Sequence, residues 1–127
     1  MLSYKDYFTN EDMKPRGYDF MADGVLDDTH FQSKEEACDD FMQNSFNIVH
    51  GLIKKRSGRQ WTDAFFEDMK KQDLTGKAIE YQEALKEALI EQAIYTYDVG
   101  DASASKYDGE SQYAPKAVEV LWDFIIF

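Results

Sequence analysis

Apolar and polar positions along this chain alternate with helical spacing in two long stretches. The first to stand out is KAIEYQEALKEALIEQAIYTYDVG, residues 77–100. It contains no proline and no internal glycine, and Ala, Leu, Glu, Gln and Lys dominate it. These residues lose little rotamer freedom in a helix. Ala78, Tyr81, Leu85, Ala88 and Leu89 fall on one face, and Glu80, Glu83, Lys86, Glu87 and Glu91 on the other. Further on, Ile90 and Ile94 occupy the side that carried charge. A helix that is apolar nearly all round is covered from two directions. The pattern predicts a central helix over 77–97, stopped by Gly100. Gln92 points to its core side, where a polar residue needs hydrogen-bond partners.

The second stretch begins with Ser33-Lys34-Glu35-Glu36, a capping box. Ala37, Phe41, Ile48 and Leu52 form one apolar row, and Cys38, Met42, Val49 and Ile53 the next. Lys54, Lys55 and Arg56 fall in the last turn, at the negative end of the helix dipole, and Gly58 comes after them as a stop. A helix over 34–56 is predicted, with Phe41, Ile48 and Leu52 packed against Leu85 and Leu89. A short third helix starts at Trp61-Thr62-Asp63, with Thr62 as its cap and Trp61 stapled onto Phe66.

The flanks are less periodic. Residues 1–32 hold Tyr4, Tyr7, Phe8, Tyr18, Phe20 and Phe31 between the turn signals Pro15-Arg16-Gly17 and Asp23-Gly24. An arm lying over the core or over a neighbouring chain is expected. Residues 101–113 read as a Gly/Ser/Asp-rich linker. Pro115 suits the first position of a final helix, and KAVEVLWDFIIF after it is apolar on every side. The whole reads as all-α: a small helical bundle of two long helices plus a short one, with an extended N-terminal arm and a C-terminal docking segment. One domain spans 1–127, divided into arm (1–32), helical core (33–100), and linker with docking segment (101–127).

Composition and charge narrow the possibilities. With 43% hydrophobic and 15% aromatic residues the chain can bury a core and is not a disordered segment. The net charge of −11 is uneven: residues 54–77 carry seven bases against four acids, while both flanking regions are strongly acidic. Nucleic-acid binding over the whole surface is disfavoured, because phosphate contacts need a basic footprint. The dense cluster Lys54, Lys55, Arg56 and Arg59 is a possible basic contact patch; helix-end complementarity accounts for three of its members. A lone cysteine, Cys38, excludes an internal disulfide, fits a reducing compartment and sits on an apolar helix face as a structural residue. No membrane-spanning run and no signal peptide is seen. Phosphate-loop, dinucleotide and paired-histidine motifs are missing, so no catalytic residue, metal or cofactor is expected. Asp27, Asp28 and His30 read as a solvated acidic loop.

The final segment admits two readings. It either closes the core or docks on a partner. Val118, Leu121, Trp122, Phe124, Ile125 and Phe127 are the docking candidates, since they occupy more than one face. In the docking reading, residues 115–127 can be removed without unfolding the rest.

Taken together, the order of elements resembles a known family. An arm with a Tyr pair (Tyr4, Tyr7) leads to the capped helix SKEEACDDFMQNSFNIVHGLI. A Trp/Phe element, a helix ending EALKEALIEQAIYTYDVGD, a polar loop, and a segment with Ala114, Pro115, Ala117 and Leu121 come next. This order is similar to that of the head–tail connector, or adaptor, proteins of long-tailed bacteriophages, over about residues 33–127. The acidic, aromatic-rich segment 8–31 departs from their pattern. The resemblance implies a ring, usually dodecameric, in the virion neck beneath the portal protein, assembled in the bacterial host cytoplasm. The C-terminal segment would grip the portal, a tail-side connector or stopper would sit below, and DNA would pass through an acidic channel without sequence-specific binding. The charge also fits a different class: an acidic DNA-mimic inhibitor of anti-restriction or anti-CRISPR type, binding a nucleic-acid-handling protein.

Overall fold

A computed structural model describes residues 2–99 and 112–125, without the side chains of Arg59 and 123–125. The protein is all-helical, and no strand occurs among the described residues. In chain order come a 3-10 turn (Tyr4–Asp6), α1 (Asn10–Met13), a second 3-10 turn (Lys14–Arg16), α2 (Lys34–Ser57), α3 (Arg59–Met69), α4 (Lys77–Val99) and α5 (Pro115–Ile125). Most of the expected linker lies outside the described residues.

α2 begins as its capping box predicts: the Glu36 N–H donates to Ser33 Oγ at 3.1 Å. At its other end the Gly58 N–H donates to the Lys54 carbonyl at 3.0 Å. Its buried face runs through Cys38, Met42, Ser45, Phe46, Val49, Leu52 and Ile53. Phe41 and Ile48, expected at the centre, are half-buried at the margin. The core centre instead passes through Phe46, because α3 folds back over that side of α2 and covers it. Phe66 of α3 meets the Phe46 ring at 5.3 Å and the His50 ring at 5.0 Å.

Nothing but Gly58 separates α2 from α3. Its φ of +98° lies in a region that L side chains rarely adopt, so the reversal occurs there and α3 starts at Arg59. Thr62 therefore does not cap the helix. It lies within the first turn, fully buried, and its Oγ1 donates to the Gly58 carbonyl at 2.6 Å. Nor does Trp61 staple onto Phe66: it stacks on Phe65 at 5.0 Å and 20°.

As expected of a helix covered from two directions, α4 is central. α5 packs along it most extensively, α2 lies against it, and α3 touches it. Leu85, Ala88, Leu89, Ile90 and Ala93 are buried in these contacts.

The N-terminal segment lies over this chain's own core. Tyr4, Tyr7, Phe8, Met13 and Phe20 are all buried in the central cluster. Tyr7 stacks on Phe46 at 5.2 Å, meets Phe66 edge-on at 5.4 Å, and its hydroxyl donates to the Phe66 carbonyl at 3.0 Å. A row of polar contacts fastens the segment along α4: Lys86 with Asp12, Arg16 with Glu87 and Glu91, and the Tyr18 hydroxyl with Asp98.

The C-terminal segment requires a correction. Tyr113, Ala114, Ala117 and Leu121 are buried, and Val118 packs against the core half-buried. Leu121 is thus a core residue of this chain and not a partner-binding one. The cause is an amide clamp. Gln92, with no exposed surface, donates from Nε2 to the Gln112 carbonyl at 2.9 Å and to Thr96 Oγ1 at 3.0 Å. Its Oε1 accepts the Ala114 N–H at 2.8 Å. That bond brings Pro115, the first residue of α5, back onto α4, so the side bearing Ala117 and Leu121 turns inward.

This packing can be tested by mutation. Leu121→Ala and Leu85→Ala should each destabilise the protein by about 2–5 kcal/mol in denaturant titrations, as for other fully buried leucines. Removing residues 115–127 should destabilise it further, and a truncated chain with an unchanged midpoint would contradict this packing. Gln92→Leu takes the partner from a buried N–H, that of Ala114, and from the part-buried carbonyl of Gln112, so a loss of about 1–3 kcal/mol is expected by the same measurement.

Candidate functional site

The residues singled out from the sequence fall at two separate places. Lys54 is half-buried, and Lys55 and Arg56 are exposed, at the last turn of α2. Lys55 and Arg56 both engage other groups of the chain. The Arg59 side chain lies outside the described residues. On α5, Val118 and Leu121 face inward, and Trp122 turns outward with 51% of its surface exposed. The side chains of Phe124, Ile125 and Phe127 lie outside the described residues.

A second exposed aromatic was missed from the sequence as a surface feature. Trp61, at the start of α3, is 44% exposed. Both indoles sit on helix surfaces whose opposite sides are anchored in the core, Trp61 beside Thr62 and Phe65, Trp122 beside Leu121. A large aromatic ring held on a rigid element at low entropic cost is the residue type most enriched at binding hot spots.

Two grooves flank α2. One, of about 500 Å³, is lined by Leu2, Phe46, Asn47, His50, Asp63 and Glu67. In it His50 Nε2 lies 3.3 Å from Asp63 Oδ1. Glu67 is paired with Lys70 at 3.0 Å, which holds that ammonium above its usual range. The other groove, of about 260 Å³, lies along the N-terminal half of α2. Leu26, Phe31, Phe41 and Tyr97 line it, with Asp27 and Asp40 among its residues.

No group of three or more metal-ligating side chains occurs among the described residues. The acidic loop at 27–30 folds on itself: Asp27 Oδ1 accepts the Thr29 N–H at 3.1 Å and its hydroxyl at 2.7 Å, and these bonds hold the carboxyl below its ordinary range. Cys38 is buried, and desolvation pushes its thiol up to about 11. Such a thiol carries almost no thiolate near neutrality and is a poor nucleophile. Burial likewise raises Tyr4, reinforced by the bond from its hydroxyl to Asp39 at 2.5 Å, and raises Tyr7. None of these groups is arranged as a nucleophile beside a base. No described helix is long and apolar enough to cross a membrane.

Comparison of the chain with family models, curated proteins and solved structures finds no match.

The buried acids set a pH dependence. Folding raises the pKa of Cys38, Tyr4 and Tyr7, so above the ordinary thiol value of 9.0 the unfolded chain releases its protons first. The stability they contribute is complete below that pH and is lost as pH rises through the folded values. A thermal midpoint that falls steadily above pH 9 is expected by circular dichroism, with the earliest part of the fall absent in Cys38→Ala. A midpoint that rose over this range would contradict the assignment.

Proposed function

We propose that this protein is a structural adaptor of a virus particle, of the head–tail connector type, and has no catalytic role. The observation that carries the reading is Trp122. α5 is the element that the resemblance assigns to the portal, and it is divided into two sides. Ala117 and Leu121 anchor it to α4, while the indole of Trp122 is presented to solvent on the same rigid helix. An exposed tryptophan beside a fixed backbone is a natural anchor for a pocket on a partner. In this reading copies assemble into a ring beneath the portal, with a stopper on the tail side, and the acidic surface keeps passing DNA from sticking.

The DNA-mimic reading draws less support. A mimic needs carboxylates free to meet a partner's cations. Here five of the chain's 25 acids, Asp12, Asp39, Glu87, Glu91 and Asp98, serve contacts that hold the N-terminal segment, so part of the charge that supports this reading has a structural use.

The test is co-expression with the structural proteins encoded beside it, then affinity capture and native mass measurement. The wild-type chain should be recovered in a complex with a portal-type ring. Trp122→Ala should keep its circular dichroism spectrum and lose at least about tenfold in affinity, as hot-spot tryptophans do. A Trp122→Ala chain captured as well as the wild type would sink the reading.

A further inference from the structure

The groove between α2 and the end of α4 has a chemistry that asks for a particular occupant. Its walls are the half-buried Leu26, Phe31 and Phe41 and the exposed ring of Tyr97. Two carboxylates, Asp27 and Asp40, stand among them on exposed residues. An apolar slot with acidic edges accepts a large apolar side chain flanked by cations.

This chain carries such an element. Trp61 stands exposed on the first turn of α3, one glycine-linked turn away from Lys54, Lys55 and Arg56. Over residues 54–77 bases outnumber acids seven to four; Lys54, Lys55 and Arg56 stand at this corner, and Lys70, Lys71 and Lys77 lie at the far end of α3 and the start of α4, paired with Glu67, Asp68 and Glu80. The indole is held firm by stacking on Phe65 at 5.0 Å, so little side-chain freedom remains to be lost on docking.

A single copy cannot join the two surfaces. Asp40 and Lys55 lie on the same continuous helix, and fifteen residues of α-helix separate them by roughly 22 Å. Each copy therefore displays one knob and one slot at opposite ends of α2. We infer that the Trp61 corner of one copy seats in the Phe41–Tyr97 groove of the next, in a head-to-tail contact between copies of this chain. Such a contact is heterologous, and it closes into a ring when its rotation allows. The inference rests on the assembly proposed above for its setting, and it names the surfaces that the assembly would use. The overall charge of −11 opposes association at long range, while the complementary patches act at contact, inside the Debye length of about 8 Å at physiological salt.

Sedimentation velocity on the full chain tests it with two exposed-site variants, Trp61→Ala and Asp40→Lys, each checked for an unchanged helical spectrum. The wild type should self-associate, and either variant should do so at least about tenfold more weakly. An equimolar mixture of the two is the decisive sample. It holds one intact knob, on Asp40→Lys, and one intact slot, on Trp61→Ala, so it should form a one-to-one complex that grows no further. Should Trp61→Ala prove unstable, Lys54→Glu replaces it as the knob variant in the same mixture. Three results would overturn the contact: a wild type that stays monomeric to roughly millimolar concentration, a mixture that stays monomeric, or variants that associate as the wild type does. If the Trp61 variant lost only affinity for a single-stranded oligonucleotide, the corner would be a nucleic-acid surface and the contact would likewise fall. A chain that binds a portal-type protein yet never contacts itself overturns this inference and leaves the adaptor reading standing; self-contact without portal binding does the reverse.

Discussion

The amide of Gln92 is the contact on which the arrangement of the helices turns. A fully buried glutamine is costly unless both ends of its amide are used, and here they are: Nε2 serves Gln112 and Thr96, and Oε1 serves Ala114. These bonds lock the backbone just before α5 onto the middle of α4. Once that point is held, Pro115 starts the helix in place and its small and branched residues, Ala117 and Leu121, close the far side of α4. α4 then has cover on both sides, which explains why Ile90 could replace charge on a face that begins as solvent-exposed. The polar bond sets position, and the apolar burial around it supplies most of the free energy.

What could be read from the sequence was what is decided locally. α2 starts at its capping box and ends at its glycine, within a residue of the expected limits, because caps act over one turn. α4 was legible through its period alone. The N-terminal segment was not, because Tyr4, Tyr7, Phe8, Met13 and Phe20 are buried one by one onto helices that come later in the chain. Burial of that kind leaves no repeat. The inward side of α5 was hidden for a related reason: a segment apolar on all sides carries no phase, and the phase comes from Gln92, more than twenty residues upstream. Of the candidate site, the cations at the end of α2 were readable as helix-end charges. The groove was not, since Leu26, Phe31, Phe41 and Tyr97 come from three distant stretches. Hydrophobicity likewise could not tell that Trp61 faces outward, because an indole satisfies an apolar pattern wherever it points.

The N-terminal segment shows how the two kinds of contact divide the work. The ion pairs that line α4, with Arg16 between Glu87 and Glu91 and Lys86 beside Asp12, are all at least partly solvated. Pairs of that kind contribute about 0.2–1 kcal/mol each and weaken with salt. The buried rings of Tyr7 and Phe8 outweigh them, since burying a large apolar side chain is worth about 1.5–3 kcal/mol. The rings therefore hold the segment down, and the charges choose its register along the helix. In a chain with so few bases, their placement here also lowers the local repulsion of an acidic helix face.

The junction at Gly58 has a consequence for how this chain can change over time. Two helices meet there with no loop to absorb a difference in length, and one backbone angle sets the heading of the second. Each residue added to or taken from α3 between Gly58 and Thr62 would rotate the remainder of that helix by about 100°. Thr62, Phe65, Phe66 and Met69 would swing out of the core together, and Asp63 and Glu67 would swing in. Insertions that surface loops elsewhere accept without harm are therefore closed to this corner. Its lineage is left to vary by substitution alone, and the angle at which Trp61 is presented is inherited as a fixed unit.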